Sequence, residues 1–396
     1  MIYLDYAATT PLAPEVAETM SAWLRHDAGF ANPASSHAPG VEAAAAVEHA
    51  RAQVAQLLNA EPESLVWTSG ATEANNLAIK GAARSYRKRG QHILVSPIEH
   101  PSVLAACEAL AVEGFEIEEL PIDGQGRVTP DALRAALRED TVLVTLGHVN
   151  NEIGTVQDLE TLGPLVAEHG AILHVDAVQS CGRLAVDVQR WRAHLVTVSA
   201  HKVYGPKGVG ALYVKSRPRV RLRPLLHGGG QEQGLRPGTV PTHQVVGMGA
   251  AFELANRRRA ADAAVARALT ERLWAGLERL EGVLRNGSGD GAPHILNVSV
   301  IGVQGEALRA ALPDLAVSSG SACSAGSAAS PVLRALGRPD QLAHASLRFS
   351  VGRFNREQDI DRAVERVATE IRRLRAISPI WEAYQQGEPV VTLYTV

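Results

Sequence analysis

From about residue 41 to residue 260, short apolar runs alternate with longer stretches of helical character, the pattern of a mainly parallel sheet covered by helices. Leu65 to Thr68, His92 to Ser96, Phe115 to Leu120, Val142 to Gly147, Ile172 to Asp176, Leu195 to Ser199 and Gly210 to Val214 read as the strands. Val41 to Leu58, Glu73 to Arg89 and Pro101 to Glu113 read as three of the helices between them. Past about Arg257 the pattern changes to a long Ala/Arg/Leu/Glu helix, a strand at Ile295 to Val300 and a helix at Gly305 to Ala311. A Gly/Ser/Ala stretch, a strand at Ser346 to Ser350 and a helix from Glu357 to Arg375 complete what reads as a smaller α+β domain. There is no internal repeat.

A chain of 396 residues exceeds what one core usually holds, so two domains around a shared site are expected. Apolar residues make up 46%, charged 20% and aromatic 4%, an Ala/Leu/Val-rich composition that excludes disordered and fibrous classes. The net charge of −3 argues against general nucleic-acid binding. Met1 to Asp5 lacks the basic start and apolar run of a secretory signal, and no apolar stretch approaches the ~18 residues of a membrane span. Cys107, Cys181 and Cys323 are too few and too scattered for a disulfide framework or a thiolate zinc site, which fits a reducing cytoplasm.

Several strand ends carry polar residues suited to one cofactor. Ser199-Ala200-His201-Lys202 ends a strand and runs into Gly205-Pro206-Lys207-Gly208, where glycine permits a tight turn over a bulky group. This is not a nucleotide loop, because the Gly-x-x-x-x-Gly-Lys-Ser/Thr spacing is absent. Asp176 ends the strand from Ile172, at the carboxyl end where ligands of α/β sheets sit, with Gln179 about one turn on. Taken alone Asp176 is equally a strand-end turn residue. In Thr68-Ser69-Gly70-Ala71-Thr72-Glu73 a glycine turn joins strand to helix, so the first helical amides can cradle phosphate, although Ser69 or Thr72 would also serve an ordinary cap. His100 and Asn151 end two further strands, and a lone histidine in such a place is often structural. Pyridoxal phosphate needs a Schiff-base lysine, an acid at the pyridine nitrogen, phosphate donors and a group against the ring face. Lys202, Asp176, the Gly70 turn and His100 supply these four together.

Residues Ser318 to Ser330 consist only of Ser, Gly, Ala and one cysteine, Cys323, a composition that disfavours packing and would equally suit a surface linker. The run from Lys215 to Arg223 packs five cations into nine residues, and Pro218 and Pro224 discourage a helix. It reads as an extended segment, either solvated surface or a landing site for acidic partners.

With these motifs, Tyr3-Leu4-Asp5-Tyr6-Ala7-Ala8-Thr9-Thr10, Asn32-Pro33-Ala34-Ser35, His148 to Gly154 and Ser318-Ser319-Gly320-Ser321-Ala322-Cys323, the chain resembles the NifS/IscS-type cysteine desulfurases, class-V aminotransferase-like enzymes of fold-type I. The resemblance implies a large pyridoxal 5'-phosphate-binding domain over residues 12–255, with a mainly parallel seven-stranded sheet. It implies a small α+β domain from 1–11 and 256–396, carrying the catalytic cysteine segment 318–330. It implies Lys202 as the cofactor lysine, Asp176, Gln179 and Asn151 at the ring, and His100 stacked on it. Ala71, Thr72, Ser199 and His201 would hold the phosphate, with Thr239 reaching in from the second subunit of a homodimer. Asn32, Asn151 and Arg348 would engage L-cysteine, Arg348 as the carboxylate clamp. Cys323 would take the sulfur as a persulfide and pass it to iron-sulfur scaffold or tRNA-thiolation proteins. No resident metal is implied, Cys323 serving at most as a transient ligand of a cluster shared with a partner, and neither direct nucleic-acid nor membrane contact is expected. The basic run 215–223 matches a region that receives acidic partners in that family. Gln233 stands where many relatives have arginine, and Glu388 to Val396 lacks the Ser-Ile-Glu-Trp-like docking tail, which leaves the acceptor open. An aminotransferase needing a 2-oxo acid, or a scaffold that keeps the cofactor without turnover, are the rival readings.

Overall fold

The computed structural model describes residues 1–319 and 329–394, so Cys323 lies outside the described residues. The chain opens on a two-residue strand, β1 (Ile2–Tyr3), and then builds its large sheet. The strands of that sheet are β2 (Leu65–Thr68), β3 (His92–Val95), β4 (Glu116–Glu119), β5 (Thr141–Gly147), β6 (Ile172–Asp176), β7 (Leu195–Ser199) and β8 (Gly210–Val214). They lie in the order β2-β8-β7-β6-β5-β3-β4, with β8 antiparallel to both neighbours and the other pairs parallel. The expected strands are therefore present, with ends within a residue of those read from the apolar runs.

Six of the strands are buried along nearly their whole length, because helices cover both faces. On one face Leu77 and Ala78 of helix Ala71–Tyr86 and Val103 and Leu110 of helix Pro101–Val112 pack on Ile93, Leu143 and Leu212. On the other, Val47 and Val54 of helix Ala38–Leu58 and Phe252 of helix Thr242–Leu277 pack with Trp67, Val175 and Val196. β4 is one of the two edge strands, and its Glu116, Glu118 and Glu119 put charge on an edge that could otherwise pair with another chain.

The small domain is the antiparallel sheet of β9 (Val283–Asn286), β10 (Ile295–Val300) and β12 (Ser346–Ser350), in the order β12-β10-β9. Leu273 and Leu277 pack on it with Ile360 and Val367 of helix Glu357–Arg375. β11 (Leu315–Ala316) runs parallel to β1, and Leu4 joins this core, so the first residues are held against the small domain. Helix Thr242–Leu277 begins well before the position expected and runs unbroken across 255/256, one half in each core. Its first turns are buried against helix Ala38–Leu58 and lack the polar face that reveals an amphipathic helix.

The 215–223 segment is not helical, but it is not extended throughout as expected: Ser216 and Arg219 pair across a tight turn at Arg217 and Pro218, and the Val220 amide donates back to the Lys215 carbonyl at 2.9 Å. Val220 is buried, while Arg217, Arg219, Arg221 and Arg223 are exposed. Near the other end of the chain, Tyr394 packs with Ile301 and Leu342, and its hydroxyl accepts the Gly302 amide at 3.1 Å. Among the described residues no helix is long and apolar enough to cross a membrane.

Candidate active site

The carboxyl ends of β2, β3, β5, β6 and β7 open onto one cavity of about 770 Å³, with Lys202, Asp176, His100, Asn151 and Arg348 on its walls. Crossover connections place these strand ends on one edge, so residues far apart in the chain meet there. Lys202 sits on the short turn Ala200–Lys202 after β7. Its Nζ donates to the carbonyls of Ala7 at 2.5 Å and Ala8 at 2.7 Å.

Asp176 is held by two donors. Asn75 Nδ2 reaches Oδ2 at 2.8 Å and the Val178 amide reaches Oδ1 at 3.0 Å. The same Asn75 nitrogen donates to Ser102 Oγ at 3.0 Å, and Ser102 Oγ lies 2.8 Å from His100 Nδ1. His100 caps helix Pro101–Val112, accepting the Ser102 amide at Nδ1. A backbone N–H can only donate, so the imidazole proton is on Nε2. Burial, chiefly, and the nearby Lys202 cation lower the His100 pKa against the opposing pull of Asp176, so the ring is neutral near pH 7. The sequence revealed His100 and Asp176 but not Asn75 and Ser102, whose link needs two helices to pack.

Helix Ala71–Tyr86 starts at Gly70, which makes no side-chain cap and has φ of 151°. A Cβ at Gly70 would meet nothing within 4 Å, so the backbone lines open space. The first amides of a 16-residue helix thus face the cavity beside Ser199 and His201. His201 Nδ1 lies 3.2 Å from Thr9 Oγ1, and burial lowers its pKa to about 4. Gln179 donates to the Ala7 carbonyl at 2.8 Å, tying it to the loop that also holds Lys202. Asn32 and Thr239 are exposed and lie outside the walls of this chain's cavity. Arg236, three residues before Thr239, pairs with Glu73 at 3.0 Å, which fixes that loop against the start of the helix.

Arg348 on β12 is buried at 2% exposure and pairs with Asp5 at 2.7 Å. Its Nη1 donates to the Asn151 carbonyl at 3.0 Å, and its Nε has no partner among the described residues. Nothing in the sequence around Asp5 assigns it a partner, because Arg348 lies 343 residues away.

Glu99 also lines the cavity and was not singled out in the sequence. Its Oε1 accepts the Gly147 amide at 2.7 Å, while burial first and Asp176 second push its pKa up to about 8. Unfolded, the group ionises near its ordinary 4.5. Between those values the folded state keeps a proton that the unfolded state has released, so this group's contribution to stability is lost as pH rises through the window. Glu99→Gln should therefore gain stability relative to the parent between about pH 5 and about pH 8, read from urea midpoints. An unchanged difference between the two pH values would place the Glu99 proton elsewhere.

A helix start free of side-chain caps, a lysine and a doubly anchored acid around one cavity fit pyridoxal phosphate, with its anionic, aldehyde and pyridine groups. The chain belongs to the class-V aminotransferase family, whose model matches residues 2–363. Within that class it falls with the NifS/IscS-type cysteine desulfurases. It is 52% identical to Cysteine desulfurase IscS of Serratia proteamaculans (strain 568), over 98% of this chain and 96% of that one. The same identity and coverage relate it to Cysteine desulfurase IscS of Pseudomonas aeruginosa (strain UCBPP-PA14). A solved NifS-like protein covers 93% of this chain and 98% of its own, with a TM-score of 0.86 and 34% identity. SspA in complex with cysteine covers 89% of this chain and 99% of its own, with a TM-score of 0.79 and 37% identity.

Proposed function

We propose that the chain converts L-cysteine to L-alanine and keeps the sulfur on Cys323 as a persulfide for transfer to iron-sulfur cluster assembly or tRNA-thiolation acceptors. The observation that carries this reading is the convergence of Lys202, Asp176, His100 and the buried Arg348 on one cavity. When bound, pyridoxal 5'-phosphate supplies an electron sink for negative charge at the substrate Cα.

Arg348 receives the substrate carboxylate through donors not used by Asp5 and Asn151. Asn151 and Asn32 complete the substrate side. Asp176 is the counter-charge for the pyridine nitrogen, oriented by Asn75, and Gln179 and His100 bound the ring. The amides of Ala71 and Thr72 with Ser199 and His201 hold the phosphate, and the exposed Thr239 serves the neighbouring copy of a homodimer.

Lys202 takes the proton from Cα and returns one to the product. The Cys323 thiolate then bonds to the substrate sulfur as the carbon–sulfur bond breaks, and the carbon fragment retains that electron pair and is protonated. The balance is L-cysteine plus enzyme thiol to L-alanine plus enzyme persulfide. Two external thiols then release sulfide and leave as a disulfide, a cycle suited to a reducing cytoplasm. The exposed Arg217, Arg219 and Arg221 offer acidic acceptors a landing surface.

The test supplies L-cysteine and a thiol reductant and measures alanine and sulfide with and without a 2-oxo acid. Equal amounts of both products without the oxo acid are expected. A requirement for the oxo acid would make the chain an aminotransferase, and neither product would leave only a scaffold role. Adding an acidic acceptor to the same assay at low and moderate salt reads the docking surface.

A further inference from the structure

The Cys323-bearing segment leaves the described structure after Ser319 and returns at Ala329, and a polar residue on each side of it is tied down by a carboxylate. On the leading side Ser318 Oγ donates to Asp5 Oδ2 at 2.8 Å. Ser318 also exchanges both backbone hydrogen bonds with Arg348, at 2.7 and 3.3 Å. On the trailing side Ser330 Oγ donates to Glu152 Oε2 at 2.5 Å, in a buried contact.

Glu152 is a well-fixed post. Its amide donates to Asn150 Oδ1 at 2.8 Å, its carbonyl accepts Asn297 Nδ2 at 3.2 Å, and Asn150 Nδ2 donates to the Ile98 carbonyl at 2.6 Å. These bonds join the post to the loop after β3 and to β10. Both posts meet one guanidinium: Asp5 Oδ1 takes Arg348 Nη2, and the carbonyl of Asn151, next to Glu152, takes Nη1. Burial carries the Glu152 pKa up to about 7, while the Ser330 hydroxyl and Arg348 pull it down, so the hydrogen bond from Ser330 favours the ionised carboxylate.

We infer that Glu152, with Ser330, is a positioning residue for sulfur transfer, holding the trailing root of the Cys323 segment in register with Arg348 and the bound substrate, while Asp5 holds the leading root through Ser318. The inference rests on the proposed role of Cys323 and adds the groups that set where its thiol is delivered. Delivery within bonding distance of the substrate sulfur is a geometric demand, and a displacement of about 1 Å can cost on the order of a hundredfold in rate.

The test uses holoenzyme in single turnover with L-cysteine. Persulfide on Cys323 is trapped by alkylation and read by mass, and the cofactor absorbance change reports substrate binding. Glu152→Ala and Ser330→Ala should each slow persulfide formation by about tenfold or more, with the absorbance midpoint for L-cysteine within about twofold of the parent. Because they remove the same link, the double variant should be no slower than either single one. Glu152→Gln and Ser330→Thr keep an acceptor and a hydroxyl, and should stay within about twofold; Ser330→Thr also keeps the cap on the Leu333 amide. Parent-like persulfide formation in both alanine variants overturns the inference, as does multiplicative slowing in the double variant or a parallel shift of the absorbance midpoint. Cys323→Ser run alongside separates the two ideas: if it still accumulates protein persulfide, the functional reading itself falls.

Discussion

Cys323→Ser is expected to bind cofactor and L-cysteine and to form no protein persulfide, with reductant-dependent sulfide release falling below about a hundredth of the parent. The nucleophile for sulfur must be a thiolate, and a serine hydroxyl neither ionises near neutral pH nor holds a transferable sulfur. The other two cysteines cannot substitute. Burial, aided by Glu99, pushes the Cys107 thiol up to about 12, and Cys181 is raised further by complete burial beside Asp176. Serine at either position should leave turnover within about twofold of the parent, since neither lines the cavity. Alkylation and mass measurement after one turnover decide the matter. Normal sulfide release by Cys323→Ser would remove the central step.

Lys202→Ala is expected to lose the visible absorbance of the lysine-bound cofactor and to slow alanine formation by at least about a hundredfold, the range for removing a positioned general base. Lys202 Nζ donates to the carbonyls of Ala7 and Ala8, which line the same cavity. Lys207 also lines the cavity. Borohydride reduction followed by peptide mapping separates the two. A reducible adduct persisting in Lys202→Ala, on Lys207 or elsewhere, would reassign the cofactor lysine.

Lys202, Asp176, His100 and the Gly70 turn were legible in the chain because each lies at or just past the end of a buried strand, where an apolar run gives way to turn residues and, at Gly70 and His100, to a helix start. The buried strands were legible for the same reason, down to Ile172–Asp176 and Leu195–Ser199 at their full lengths. Such local patterning is silent where a helix is buried on most sides, which is why the start of helix Thr242–Leu277 escaped it. The resemblance put Gln179 at a ring, and only the structure discloses that its Nε2 donates to the Ala7 carbonyl.

By itself, then, the sequence determined the order of strands and helices, the residues at the strand ends and the chemistry those residue types can support, because periodicity and turn preference act over a few positions. Only the tertiary structure decided which polar groups satisfy one another. Asn75 and Ser102 join Asp176 to His100, Asp5 meets Arg348 across nearly the whole chain, and Glu152 takes the hydroxyl of Ser330. A buried donor or acceptor must find a partner wherever packing brings one within about 3 Å, and no spacing along the chain encodes that choice.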